Sequence, residues 1–151
     1  MVGLKVKIND DLKTALLGGN RFDGEVLRGL KAVILNEEVA QGKRDEGLDD
    51  VTIETLIIRE VKKRNESAGI YDEAGRPELA TNERAEAKVI SLYLPKQLTE
   101  SEIKQVVIAV IAELGVSNPS AMGQVIGAVK KQLGNSANGA LVAKIVKNEL
   151  S

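Results

Sequence analysis

Apolar side chains recur along this chain three and four positions apart, and no segment alternates convincingly with a period of two. That spacing lines up one face of a helix rather than one face of a strand, so the pattern predicts an all-α fold. Leu4, Ile8, Leu12 and Ala15/Leu16 mark a first helix, stopped by Gly18-Gly19-Asn20. Asp23 is expected to cap a second, with Val26, Leu27, Leu30, Val33, Ile34 and Val39 inward and the pattern fading near Gly42. Residues 43–47 read as a charged loop. Asp49 or Asp50 then caps a third helix carrying Ile53, Leu56, Ile57 and Val61, followed by a polar stretch from Lys62 to Glu66 and an end by Gly75. Pro77 suits the first turn of a fourth helix, where its missing N–H costs nothing, and that helix is expected to run to Leu94 and stop at Pro95.

Pro95 to Leu98 is the expected boundary. It divides an N-terminal helical domain of about four helices, residues 1–95, from a compact three-helix C-terminal domain, residues 96–151. Thr99 and Glu102 form a T-x-x-E capping box before the stripe Ile103, Val106, Val107, Val110, Ile111 and Leu114. Gly115 ends that helix. Asn118-Pro119 opens the next, which carries Met122, Val125, Ile126, Val129 and Leu133 to Gly134. Asn138 caps the last, with Leu141, Val142, Ile145, Val146 and Leu150 inward. Helices this short must pack on one another to persist.

Composition narrows the chemistry. A chain of 151 residues buries enough surface to hold a core without staples. It has neither histidine nor cysteine, which removes the commonest general base, the commonest transition-metal ligands and any thiolate nucleophile. No apolar run long enough for a membrane span or signal segment is present, and a cytoplasmic location is expected. Aromatics are limited to Phe22, Tyr71 and Tyr93, poor material for base stacking. The net charge is −1, yet residues 1–95 hold 15 Lys and Arg against 18 Asp and Glu, while residues 96–151 hold 6 against 4. The C-terminal part is therefore the better partner for an anion.

No phosphate-binding glycine motif and no nucleophile–histidine pair exists. Glu37/Glu38, Asp49/Asp50 and Glu83 with Glu86 are candidate carboxylate clusters, lack calcium-loop spacing, and read as caps and solvated faces. No catalytic residue, metal ligand or cofactor is assigned. The basic positions are more informative. Lys130/Lys131 and Lys144/Lys147 fall outside the apolar stripes, and Arg59 and Lys63 lie four apart in the run Arg59, Lys62, Lys63, Arg64. Each set is either a ridge for phosphates or a wet, intrahelically paired face.

Asp72-Glu73-Ala74-Gly75-Arg76-Pro77-Glu78-Leu79-Ala80, continuing through Glu83 and Glu86 to Tyr93-Leu94-Pro95-Lys96-Gln97-Leu98, resembles the signature of the YqeY-like proteins of the GatB/YqeY group. So do Met122-Gly123 before Val125-Ile126, then Gly134, Asn138-Gly139 and Leu141-Val142, and at the start Leu4 to Leu12 with Leu27-Arg28-Gly29-Leu30-Lys31. The last domain is similar to the tail of the B subunit of the glutamine-dependent aminoacyl-tRNA amidotransferase, which helps grip tRNA while the chemistry occurs in a separate large domain. The resemblance implies a tRNA-associated fold without that active site. A carbon–nitrogen ligase activity with glutamine as amido donor is attached by resemblance only. Asn138-Gly139 stands where the family usually has Asp-Gly, and Ser136 where a basic residue is frequent. The expected partners are tRNA, or an amidotransferase or another aminoacyl-tRNA-related protein on which the chain docks as an interaction module. No membrane and no small-molecule cofactor is expected.

Overall fold

The structure, a computed structural model, describes residues 3–151. All regular structure in the described residues is helical: α1 (Leu4–Leu17), α2 (Arg21–Ala40), α3 (Asp50–Glu73), α4 (Pro77–Ser91), α5 (Glu100–Leu114), α6 (Met122–Leu133) and α7 (Gly139–Leu150), with short 3-10 turns at Pro119–Ala121 and Gly134–Ser136. The all-α class read from the periodicity is what the chain adopts. It divides into two compact units, one up to Leu94 and one from Pro95 onward.

In the N-terminal unit α1 to α4 bury their stripes against each other. Ile8, Leu30, Ile53, Ile57 and Ile90 are at most 1% exposed and form the centre. Each such side chain contributes about 1.5–3 kcal/mol relative to exposure. α3 and α4 form an antiparallel hairpin whose turn contains Gly75 at φ +72, a conformation that L side chains adopt only with strain. That requirement accounts for the glycine in the Ala74-Gly75-Arg76 motif. Pro77 follows as the first residue of α4.

Three local expectations are corrected. The cap of α2 is Asn20, whose side chain accepts from the Asp23 N–H at 3.1 Å, so Asp23 lies inside the first turn. Val39 is 59% exposed, and Glu38 is buried in its place. α4 ends at Ser91, not Leu94: the Leu92, Tyr93 and Leu94 N–H groups bond three residues back, which tightens the chain out of the α-helix. Of the two candidate caps of α3, Asp49 is the one used, accepting from the Thr52 N–H at 2.9 Å; Asp50 accepts from the Leu4 N–H.

The C-terminal unit packs Ile103, Val107 and Val110 of α5, Val125 and Val129 of α6, and Val142, Ile145, Val146 and Leu150 of α7 into a second core. The capping box is complete: the Glu102 N–H donates to Thr99 Oγ1 at 3.2 Å and the Thr99 N–H to Glu102 at 3.0 Å. Thr99→Ala is expected to lower the stability of this unit by about 1 kcal/mol, read as a shifted denaturant midpoint with unchanged slope. Pro119 does not open α6 directly. It starts the separate 3-10 turn, with the Asn118 side chain accepting from the Ser120 N–H.

Candidate nucleic-acid interface

The four C-terminal lysines are placed by two helices whose inward stripes leave them no alternative but solvent. On α6, Val125 and Val129 face the core, Lys131 in the last turn falls on the opposite side, and Lys130 lies on the flank toward the start of α7. On α7, Val142, Ile145 and Val146 point inward, and Lys144 and Lys147, three apart, share the outer face. All four are exposed. Lys131 and Lys130 at the end of α6, and Lys147 at the end of α7, also complement the helix macrodipole.

The structure adds one long-range relation. The tip of the Lys130 side chain lies over Gly139 at the start of α7: a Cβ there would sit 3.5 Å from Lys130 Cε and 3.6 Å from its Nζ. Lys130 therefore reaches the beginning of the helix that carries Lys144 and Lys147, and the three positions extend roughly 12 Å along α7 at 1.5 Å per residue. Among the described residues none of the four lysines forms an ion pair. Glu149 instead pairs with Lys104 at 3.7 Å, and Glu102 is engaged in the capping box.

The outer face of α6 has a second property. Gly123 and Gly127, one turn apart, precede Lys130 and Lys131 on it, and a Cβ on either glycine would meet nothing within 4 Å. The packing of this unit does not call for them, although glycine inside a helix costs about 1 kcal/mol relative to alanine. Gly123→Ala and Gly127→Ala are each expected to stabilise the unit by about 0.5–1 kcal/mol, measured by chemical denaturation.

Arg59 and Lys63 belong to the other unit. Both are exposed on α3 and neither forms an ion pair among the described residues. Their neighbour Arg64 turns inward instead, donating to Glu60 at 3.1 Å and approaching Glu86 at 3.5 Å. The carboxylate clusters are likewise occupied. Glu37 accepts from Gln41, Glu38 holds Lys5, and Asp49 and Asp50 receive backbone N–H groups. Among the described residues no three acidic side chains converge as a metal site would need.

Two polar constellations escaped the sequence reading. Glu38, 1% exposed, accepts both from Lys5 Nζ, at 2.8 and 3.0 Å, and from the Leu48 N–H at 3.1 Å. Gly47, at φ +77, passes so close that a Cβ would lie 3.3 Å from the carboxylate. Burial alone would push this carboxyl up; Lys5, the Leu48 N–H and the Arg44 charge hold it below the ordinary range. The second constellation joins α1 to the end of α4. The Tyr93 hydroxyl donates to Asp11 at 2.6 Å, Lys7 pairs with Asp11 at 3.0 Å, and the Lys7 ammonium lies 5.1 Å from the Tyr93 ring centre. Burial, the bond to Asp11 and its charge push the phenol well up. The Tyr93 hydrogen bond, opposed by burial and assisted by Lys7, pulls Asp11 down.

The model of the Yqey-like protein family matches residues 5–150. The chain belongs to the YqeY-like protein family. It is also similar to two fungal proteins described as altered inheritance of mitochondria protein 41, mitochondrial. The one from Kluyveromyces lactis is 26% identical over 116 residues, 75% of this chain and 61% of that protein. The one from Clavispora lusitaniae is 25% identical over 125 residues, 82% of this chain and 69% of that protein. The match thus spans about three fifths of the first relative's own length.

In this YqeY-like chain several motif positions have visible structural duties. Tyr93 ties α4 to α1. Past the boundary the Gln97 side chain donates to the Asn135 carbonyl at 2.9 Å, and the Leu98 N–H to the Ser136 carbonyl at 2.8 Å, fastening the entry of the C-terminal unit to the α6–α7 turn. Asn138, in place of the usual Asp, still accepts from the Ala140 and Leu141 N–H groups and caps α7. Ser136, where a basic residue is frequent, donates to the Leu133 carbonyl. No single helix among the described residues is long and apolar enough to cross a membrane.

Proposed function

We propose that this YqeY-like chain is a non-catalytic accessory protein that associates with tRNA, with the C-terminal unit making the contact. The observation that carries this reading is the set of four exposed lysines without ion pairs, on the outer faces of α6 and α7, with Lys130 bridging toward the start of α7. Cations that spend no energy on internal partners are available to displace counterions from phosphates. Gly123 and Gly127 support it further: a helix face without side chains lets a sugar–phosphate backbone approach closely before it meets Lys130 and Lys131. The scarcity of aromatics favours backbone contact over base stacking, and hence recognition of tRNA by shape. Arg59 and Lys63 form a secondary basic ridge on α3. The proposed setting is an aqueous compartment where tRNA is charged. A cysteine-free chain suits a reducing cytoplasm, and the fungal relatives carry a mitochondrial description.

The test is titration of the purified chain with bulk tRNA at several salt concentrations. Binding at low salt that weakens steadily as salt rises is expected; no binding at low salt contradicts the proposal. The alternative is docking on an amidotransferase or another larger protein. The observation that favours it is a set of exposed apolar side chains, Leu17, Val39, Ile70 and Leu92 among them.

A further inference from the structure

Granted the association with tRNA, on which this inference rests, we propose that the C-terminal unit takes a double-helical RNA stem rather than a single strand, and that Gln124 reads the 2′-hydroxyl in its minor groove. A single strand is commonly held by flat side chains on which its bases stack, with cations along the backbone. The C-terminal unit has the cations and none of the rings: residues 95–151 contain no Phe, Tyr or Trp. Its lysines also stand on two helices instead of along one track. Lys130 and Lys131 belong to α6, Lys144 and Lys147 to α7. These helices pack on one another through the shared core, which sets their axes roughly 8–10 Å apart. A lone backbone offers one line of phosphates, whereas a duplex offers two, one on either side of a groove. In A-form RNA the minor groove is wide and shallow and displays the 2′-hydroxyls. A helix about 10–12 Å across can lie over such a groove, but it cannot enter the minor groove of B-form DNA, about 6 Å wide.

Gln124 is placed to use that groove. It is exposed on α6, and its side chain makes no hydrogen bond among the described residues. It stands three positions before Gly127 and seven before Lys131, so the three share one side of the helix over two turns, roughly 10 Å. Lys130 occupies the other flank, toward the start of α7. A carboxamide both donates and accepts hydrogen bonds. That matches the 2′-hydroxyl, which is itself donor and acceptor and is the group that lets a protein tell RNA from DNA. The lysines cannot make this distinction, because the phosphates they meet are the same in both nucleic acids. Gln124 is therefore the specificity-determining side chain of this face, and the lysines supply affinity without it.

The test uses the full chain and three probes of equal length at low salt: an RNA hairpin, a DNA hairpin of the corresponding sequence, and an unstructured uridine strand. The RNA hairpin should bind about fivefold more tightly than the DNA hairpin, the worth of one or two hydrogen bonds. It should bind about tenfold more tightly than the single strand, which finds no ring to stack on. Gln124→Ala should bring the RNA hairpin down to the affinity of the DNA hairpin, with DNA binding and the salt slope unchanged. The melting transition should stay in place or rise, because the position is exposed and alanine is the better helix former. A single strand bound as tightly as the RNA hairpin, equal binding of the two hairpins by the unaltered chain, or a preference for RNA that survives Gln124→Ala would overturn the proposal while tRNA binding itself stood. Absence of tRNA binding at low salt would overturn both the association and this reading of it.

Discussion

Lys5→Met is expected to destabilise the N-terminal unit by about 3 kcal/mol at neutral pH. The figure follows from stranding a buried charge rather than from losing a surface ion pair. Glu38 is 1% exposed and Lys5 is its cation. Removing one partner of a buried pair costs about 3–5 kcal/mol because the other charge stays in the interior uncompensated. The low end applies because the Lys5 side chain is 41% exposed and already shares its charge with water. The effect has a pH signature. In the native chain the Glu38 carboxyl is held below its ordinary value of 4.5, so its contribution is fully present above pH 4.5 and is lost as pH falls through the lower folded value. Without Lys5, only the Leu48 N–H and the Arg44 charge still oppose burial, so the carboxyl is expected to move up from its native position. Protonation then relieves the stranded charge, and the cost of the substitution should shrink between pH 7 and about pH 4. Denaturant titrations of both proteins at the two pH values measure this. A difference below about 0.5 kcal/mol at pH 7, unchanged at pH 4, would mean that the pair behaves as a solvated surface bridge.

The quadruple replacement of Lys130, Lys131, Lys144 and Lys147 by alanine is expected to remove most tRNA affinity and, more tellingly, most of its salt dependence. Each phosphate neutralised contributes about 0.7–0.9 to the slope of log affinity against log salt. Four such contacts give a slope of roughly −3 to −4, or about a hundredfold loss between 50 and 200 mM salt. The variant should start at least tenfold weaker at the lower salt and be nearly flat. All four side chains are exposed, so the melting transition should stay in place and separate lost binding from lost fold. Gly123→Ala and Gly127→Ala sharpen the contrast, since they should weaken tRNA binding while stabilising the helix.

Much of the architecture was legible because helical periodicity reports burial directly. The stripes of α5 and α7, the Thr99–Glu102 box and the Asn138 cap are local, and local spacing suffices for them. The misplacements were local too. Asn20 and Asp23 both suit a helix start, and the three-residue step from Asn20 Oδ1 to the Asp23 N–H chooses the former. Position 38 continues the stripe of Leu30 and Ile34 at four-residue steps better than position 39. Its charge disguised it as surface, and only the arrival of Lys5 from α1, 33 residues earlier, makes a buried glutamate tolerable. The exposure of the four lysines could be read from the helix period. The reach of Lys130 to Gly139 could not, because it depends on how α6 and α7 cross. The contact between the end of α4 and α1 was invisible for the same reason. Leu92 lies beyond the last regular turn of α4, where periodicity stops assigning faces, and Tyr93 meets Asp11 across 82 positions.

The most direct test of the central claim is tRNA titrated into the isotopically labelled full chain at low salt, followed amide by amide. The predicted result is a set of shifted signals on the outer faces of α6 and α7, centred on Gly123, Gly127, Lys130, Lys131, Lys144 and Lys147 and reversed by added salt. Shifts confined to the N-terminal unit, or none at all, would contradict it.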